Sequence, residues 1–164
     1  MPRGRVNTTG IDYNIPYSEN VLLKTRQCYN NMILRCKSTK ESVRKYYRDR
    51  GVDVCERWKE SFDNFLEDMG LCQPETSLDR IDNWGNYEKA NCRWASIEVQ
   101  NFNRDWGEYK GVYFQTSANK WRADLAYGGN RFYLGLFDTK EAAKEAYESH
   151  ANIIRTLIAT GYLK

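Results

Sequence analysis

Residues 111–136 read GVYFQTSANKWRADLAYGGNRFYLGL, and they decide the fold of the C-terminal part of the chain. Polar and apolar side chains alternate along residues 111–115, 121–126 and 131–136, which is the period of a β-strand with one buried face. The connections at residues 117–119 and 128–130 consist of small residues, glycine and asparagine, which favour hairpin turns. This stretch predicts a three-stranded antiparallel sheet.

A long amphipathic helix is predicted directly after the sheet. Asp138 and Thr139 are residue types that begin helices. Apolar residues then recur at helical spacing, at Ala142, Ala143, Ala146, Tyr147, Ala151, Ile154 and Leu157. We expect one face of the sheet to pack against this helix. By strand alternation, the side chains expected to face it are Val112, Phe114, Ala123, Leu125, Phe132, Leu134 and Leu136.

This part of the chain contains the motifs YKGVY at residues 109–113, KWRA at 120–123, YLGLFDT at 133–139 and EAA at 141–143, with Ala146 and Tyr147. Together they resemble the APETALA/ethylene-response-factor type of DNA-binding domain. The resemblance covers nearly all of a domain placed at residues 106–164. It implies that the sheet enters the major groove of double-stranded DNA and that its outer face meets bases and phosphates.

The outward side chains of the sheet are the expected DNA contacts. Arg122 and Arg131 are the best candidates for reading bases or holding phosphates, and Tyr113 can pack on a sugar or a thymine methyl group. An ordinary solvated sheet face is the alternative, because exposed arginine and tyrosine are common on antiparallel strands. The side chains expected to face outward are Tyr113, Gln115, Lys120, Arg122, Asp124, Arg131 and Tyr133. All of these except Asp124 are expected DNA contacts, and Trp121, at the start of its strand, could serve either face.

A shorter β-hairpin followed by a helix is predicted upstream. Residues 77–84 favour a strand that runs into a turn at Trp84, Gly85 and Asn86. Residues 92–95 favour a second strand, and residues 96–103 a short helix. The chain is therefore expected to be an α+β protein, with a helical N-terminal part and this ββα unit before the three-stranded sheet.

The motifs LDRID at residues 78–82, GNY at 85–87, NCRWA at 91–95 and QNFNR at 100–104 resemble a variant of the HNH endonucleases of the phage homing type. The resemblance runs from about residue 26 to 104. It implies metal-dependent cleavage of DNA at a ββα centre, with Asp79 as one ligand of Mg²⁺ or Mn²⁺ and Gln100 or Asn101, which the sequence does not separate, as the other. A hard cation with oxygen ligands stabilises the charge that develops during phosphodiester hydrolysis.

The chain departs from the common family pattern next to the expected metal ligand. Arg80 stands where a histidine usually activates water, and His150 on the C-terminal helix has no match to that position. The resemblance then assigns Arg80 to the scissile phosphate, Tyr87 to general-base or water-positioning work, and Asn91 to steadying the hairpin. A tyrosine pKa of about 10 requires help for the base role.

Three alternatives stay open for the hairpin unit. Asp79, Arg80 and Asp82 would serve only to cap turns in a purely structural hairpin. A nuclease-derived regulator would bind specific DNA sequences without cutting them, and an RNA-binding or structural role is a third alternative. One ββα centre cuts one strand at a time, so double-strand cleavage would need a homodimer or a second event.

Composition and charge set the remaining expectations. The chain is 41% apolar and 29% charged with a net charge of +3, which is typical of a folded globular protein. Residues 21–50 carry nine lysines and arginines against two acids, whereas residues 51–75 carry seven acids against two bases. Residues 1–17 are expected to be an extended arm and residues 18–105 a nuclease domain. No stretch is long enough to span a bilayer.

The five cysteines form no CxxC pair, which indicates reduced thiols in a cytoplasmic protein. A metal site built from Cys28, Cys55 and Cys92 is an alternative to ordinary buried thiols.

Overall fold

The computed structural model describes residues 17–104 and 107–163, so residues 1–16 of the arm predicted at residues 1–17 lie outside the described residues. The chain divides into two compact units, Met1–Ala95 and Ser96–Lys164. The short helix predicted after the hairpin falls within the second unit. Among the described residues, no helix combines the length and apolar character needed to cross a membrane.

The first unit begins with helices. They are α1 (Tyr17–Lys37), α2 (Glu41–Arg44), α3 (Glu56–Glu60) and α4 (Phe62–Met69), with a 3₁₀ turn at Arg48–Arg50 between α2 and α3. The chain from α2 to the 3₁₀ turn is not one continuous helix, because Tyr47 leaves helical geometry at φ −129° and ψ −85°.

The segment from Trp58 to Met69 belongs to two helices, although its apolar residues recur at the spacing of one helix face. Ser61 is extended at φ −157° and ψ 155°, and its hydroxyl accepts a hydrogen bond from the amide of Asn64 at the start of α4. Helical periodicity continues across the break because both helices bury one face. Trp58 and Phe65 are both fully buried and meet edge to face at 5.0 Å between ring centroids.

A two-stranded antiparallel hairpin completes the first unit. Strand β1 (Ser77–Arg80) pairs with β2 (Cys92–Ala95), so β1 ends four residues earlier than predicted. After Arg80 the connection is held by Asn91, whose backbone carbonyl accepts from Ile81 N at 2.8 Å. Leu78 and Cys92 are buried in the same core as Trp58.

The second unit contains helix α5 (Ile97–Asn103), strands β3 (Val112–Gln115), β4 (Lys120–Tyr127) and β5 (Asn130–Phe137), and helix α6 (Lys140–Ala159). The sheet has the order β3-β4-β5 and is antiparallel throughout, as predicted. Thr139 caps α6, because its hydroxyl accepts from Ala142 N at 3.1 Å. Leu125 of β4 and Tyr147 of α6 are buried together with Phe102 of α5.

Gly111 fixes the approach of the sheet to α6. Its φ is +71°, and its carbonyl accepts from Asp124 N at 2.9 Å. A Cβ at this position would lie 2.2 Å from the carbonyl oxygen of Asp124 and 2.6 Å from the Tyr147 ring. Only glycine fits between this strand and the helix.

A β-bulge changes the predicted faces of β5. Ala123 pairs with Gly135, but Asp124 pairs with Tyr133, so Leu134 is the extra residue. Directly paired residues share a face, and Leu136 pairs with Arg122. The prediction that Leu136 faces the helix is therefore wrong.

Two other residues of the predicted inner face are only partly covered. Phe114 pairs with Trp121 and Phe132 pairs with Leu125, but they remain 46% and 49% exposed.

Candidate nucleic-acid interface

The face of the sheet opposite α6 carries a continuous set of polar and aromatic side chains. Tyr113 pairs directly with Arg122, and Asp124 pairs with Tyr133 on the far side of β4. Arg131 lies one step further along β5, opposite Ala126. Because paired residues share a face, these side chains from three strands form one surface, which we call the outer face.

A buried carboxylate organises the outer face. Asp124 accepts hydrogen bonds from the hydroxyl of Tyr113 at 2.7 Å and from Nε of Arg122 at 2.9 Å. Arg131 is 3.6 Å from the same carboxylate. The Asp124 side chain is only 4% exposed, whereas those of Arg122 and Arg131 are 31% and 68% exposed.

The electrostatics of this cluster keep it charged. Burial raises the pKa of Asp124, but the hydrogen bonds from Arg122 and Tyr113 outweigh it and leave the pKa lowered from 3.8. The hydrogen bond to Asp124 also raises the pKa of Tyr113, so its phenol stays protonated. A fixed anion therefore orients the arginines, which extend from it towards solvent.

The other predicted contacts surround this cluster. Tyr133 is 56% exposed, and the guanidinium of Arg122 lies 4.8 Å from its ring centroid. Gln115 accepts from Arg122 at 3.5 Å and donates to Ser117 at 3.3 Å. Lys120 forms an ion pair of 2.9 Å with Asp138. The structure thus brings the predicted residues of the outer face together.

Trp121 is separated from them. Its partners across the sheet are Phe114 and Phe137, and its ring meets Phe114 edge to face at 5.3 Å. It precedes Arg122 by one residue, so it lies on the helix side of β4. The sequence left open which face of the sheet Trp121 would occupy, and the strand register places it on the inner face.

Asp124 is the residue that sequence reasoning missed. Alternation placed it outward, but it was not among the expected DNA contacts. The signal was its spacing from Arg122, since residues two apart on a strand share a face. Its contact with Tyr113 on the neighbouring strand required the register.

The predicted metal carboxylate in the first unit is paired with an arginine. Asp79 of β1 lies directly opposite Arg93 of β2, and its Oδ2 accepts from Nε at 3.2 Å and from Nη2 at 3.1 Å. The Asp79 side chain is 11% exposed. This cross-strand pair neutralises the carboxylate within the hairpin.

Arg80 and Tyr87 are buried, at 7% and 2% exposure. Arg80 donates to the carbonyl of Gly85 at 2.8 Å and lies 4.9 Å from the Tyr87 ring and 5.1 Å from the Tyr47 ring. Burial raises the pKa of Tyr87, which opposes loss of its proton. The environments thus suit packing better than the expected phosphate contact and base role.

Asn91 fixes the loop between β1 and β2. Its Oδ1 accepts from Asp82 N at 2.8 Å, and its Nδ2 donates to the carbonyls of Asp82 at 3.1 Å and Asn86 at 2.9 Å. A Cβ on Gly85 would lie 2.6 Å from that Nδ2. The amide therefore acts as a clamp on the loop.

The two candidate amide ligands are on α5 in the second unit. Asn101 is exposed and lines a cavity of about 670 Å³ with Tyr109 and Lys110, and the neighbouring Phe102 anchors the helix in the core. Gln100 lies within the same helix.

The predicted ligands, Asp79 with Gln100 or Asn101, do not fit a bound divalent cation well, because Asp79 is already paired with the guanidinium of Arg93. Over residues 17–104 and 107–163, no group of three or more His, Cys, Asp or Glu side chains is arranged to hold a metal. That finding also opposes the alternative of a site at Cys28, Cys55 and Cys92. Burial raises the pKa of Cys92 to about 12, as expected for an unreactive thiol.

Comparison with known protein families supports the domain type predicted for the second unit. Residues 107–156 match the AP2 domain, which spans the three strands and most of α6, so the predicted ethylene-response-factor type domain is confirmed. The match does not reach residues 26–104, whose resemblance to a nuclease stays a prediction. None of the curated proteins and none of the solved structures that were compared with the chain gives a significant match.

Proposed function

We propose, from the AP2 domain at residues 107–156, that the protein is a sequence-specific binder of double-stranded DNA. The observation that carries the proposal is the outer face, where one buried carboxylate holds Arg122 and Tyr113 in fixed positions beside Arg131. The family resemblance implies that a small sheet of this kind enters the major groove, where an arginine fork can meet two acceptors of a guanine at once. Preorganised side chains lose less entropy on binding.

Charge should contribute less than shape to DNA binding by the second unit. Residues 109–164 carry eight bases and five acids, a modest excess for a DNA-binding domain. Each phosphate contact adds salt dependence without sequence information. The proposed outer face should therefore discriminate between sites more strongly than it binds DNA in general.

The test is selection of binding sites from a random duplex library by the full chain, followed by titration of the selected duplex. Arg122→Ala should weaken binding to that duplex about ten-fold or more and relax selection at one position, because a base-reading fork has been removed. Binding to unrelated duplex should change much less.

Arg155→Ala is the matched control. Arg155 lies on α6, is 49% exposed and pairs with Glu148 at 2.9 Å, so it has the charge of Arg122 without its place on the outer face. Its substitution should leave site selection unchanged. Failure of the full chain to enrich any duplex sequence would refute the proposal, as would equal losses for the two variants.

A second candidate function is endonuclease activity at the hairpin. The order β1, loop, β2 and α5 follows the ββα unit of the HNH resemblance, and Asn91 clamps the loop as such a hairpin requires. The pairing of Asp79 with Arg93 and the burial of Tyr87 favour the non-cutting regulator over this candidate. The cell location in the cytoplasm and a homodimer stay predictions.

Incubation with genomic or plasmid DNA in Mg²⁺ or Mn²⁺ tests the second candidate. Discrete nicks that disappear in Asp79→Ala, but persist in Asp63→Ala, would support cutting. Asp63 is a suitable control because it is an exposed acid at the start of α4 in the same unit. DNA that is bound but never nicked by the wild type would leave the regulator as the function.

A further inference from the structure

An exposed cluster of aromatic rings and cations lies on the first unit and includes a residue of the β1–β2 loop. It consists of Trp84 in the β1–β2 loop, Tyr46 after α2, and Arg50 in the 3₁₀ turn, and we call it the Trp84 patch. The Arg50 guanidinium lies 4.0 Å from the Trp84 ring centroid and 5.6 Å from that of Tyr46. Lys45 is 4.9 Å from the Tyr46 ring.

The exposure of these rings contrasts with the burial of the aromatic core of the unit. Trp84 is 61% exposed and Tyr46 is 49% exposed, whereas Trp58 in the same unit is completely buried. An indole that stays exposed to water does not contribute the large stabilisation that burial of its apolar surface would give. Exposed tryptophan, tyrosine and arginine in one cluster are the residue types that dominate binding surfaces.

The Trp84 patch is also held in place. The backbone amide of Trp84 donates to the carboxylate of Asp82 at 2.9 Å. The loop on either side is fixed by the Asn91 clamp and by the hydrogen bond from Arg80 to Gly85. A ring on a clamped loop presents a flat surface at low entropic cost.

The charge of the surroundings indicates an anionic partner. Residues 40–50 carry five bases and two acids, and one of those acids, Asp49, is paired with Arg44 at 2.9 Å. Aromatic rings interleaved with cations are typical of surfaces that stack unpaired bases while the cations meet phosphates. A duplex hides the faces of its bases, so an exposed ring pair favours a single strand.

We propose that the Trp84 patch binds single-stranded DNA by stacking an unpaired base on Trp84, with phosphates near Arg50 and Lys45. The choice of DNA over RNA rests on the proposed function of the second unit. The single-strand contact itself does not depend on the outer face of the sheet, so the two can fail separately.

The experiment measures fluorescence anisotropy of a labelled 12-nucleotide DNA strand of mixed sequence with the full chain. The wild type should bind the strand, and Trp84→Ala should bind it about ten-fold or more weakly, the loss expected for one stacked base. Trp84→Phe retains a ring and should stay within a few fold. Tyr46→Ala should show a smaller loss than Trp84→Ala.

Tyr162→Ala is the matched control, since Tyr162 is an 81% exposed ring in the second unit. It should not change binding of the single strand. Binding of every variant to the selected duplex should stay within about two-fold of wild type, which also shows that the chain remains folded.

Four results would overturn the proposal. They are no binding of the strand by wild type, equal binding by wild type and Trp84→Ala, equal losses for single strand and duplex, and tighter binding of an RNA strand of the same sequence. Vesicles with anionic headgroups that compete fully for the strand would assign the patch to a membrane surface instead.

Discussion

Substituting Asp124 by asparagine tests whether a buried anion organises the outer face. The side chain keeps its shape and one acceptor oxygen but loses its charge and its second carboxylate oxygen. Asp124 accepts from Tyr113 at 2.7 Å and from Arg122 at 2.9 Å, one on each oxygen. Asparagine can satisfy only one of these donors with an oxygen.

The expected loss of stability follows from those contacts. A hydrogen bond to a charged group contributes about 1.5–3 kcal/mol, and a neutral one about 1 kcal/mol. Asp124→Asn removes one such bond and weakens the other, but Arg122 reaches solvent, which screens the pair. We expect the free energy of unfolding of the second unit to fall by about 2 kcal/mol.

Asp124→Asn should change the affinities for random duplex and for the selected duplex in opposite directions. The variant loses one negative charge, so its affinity for random duplex should rise slightly. Its affinity for the selected duplex should fall, because Arg122 and Tyr113 are no longer held in position. The ratio of specific to non-specific binding therefore falls by more than either affinity changes.

Urea unfolding and duplex titration measure both effects. Asp138→Asn is the control, because Asp138 pairs with Lys120 at 2.9 Å but is 85% exposed, and it should change stability by less than about 0.5 kcal/mol. Unchanged stability of Asp124→Asn would refute the argument. A parallel rise in specific and non-specific affinity would show that the carboxylate only reduces net charge.

Further predictions concern acid, backbone space, the clamped loop and a thiol. Because the pKa of Asp124 is lowered by folding, the ionised carboxylate stabilises the second unit fully above about pH 4, and this stabilisation is lost as the pH falls further. The free energy of unfolding of Asp124→Asn should therefore fall less steeply with acid than that of the wild type. Gly111→Ala should cost at least about 2 kcal/mol more in urea unfolding than Gly129→Ala, which shares the positive φ but meets nothing within 4 Å. Asn91→Ala should lower first-unit stability in hydrogen exchange by about 2 kcal/mol while binding to the selected duplex is unchanged. Cys92, with a pKa of about 12, should resist iodoacetamide at pH 8 until the chain is unfolded, and a rapid native reaction would contradict its burial.

Part of the interface was predictable because a strand has a fixed period. Alternation alone placed Tyr113, Arg122 and Tyr133 on one face, and the structure brings them together. It failed at Leu136, because the bulge at Leu134 adds one residue and reverses the phase. A bulge depends on two strands meeting, and one strand's sequence does not encode it clearly.

The sequence by itself determined the order of strands and helices in the second unit, since hydrophobic period and turn residues are local properties. It also determined which residue types were available for DNA. Only the tertiary structure decided that Asp124 is buried beneath two arginines, that Asp79 is neutralised by Arg93, and that Trp84 stays exposed beside Arg50. Those outcomes depend on which side chains from distant segments of the chain come into contact. Pairing and burial then determine the charge and the accessibility of each side chain.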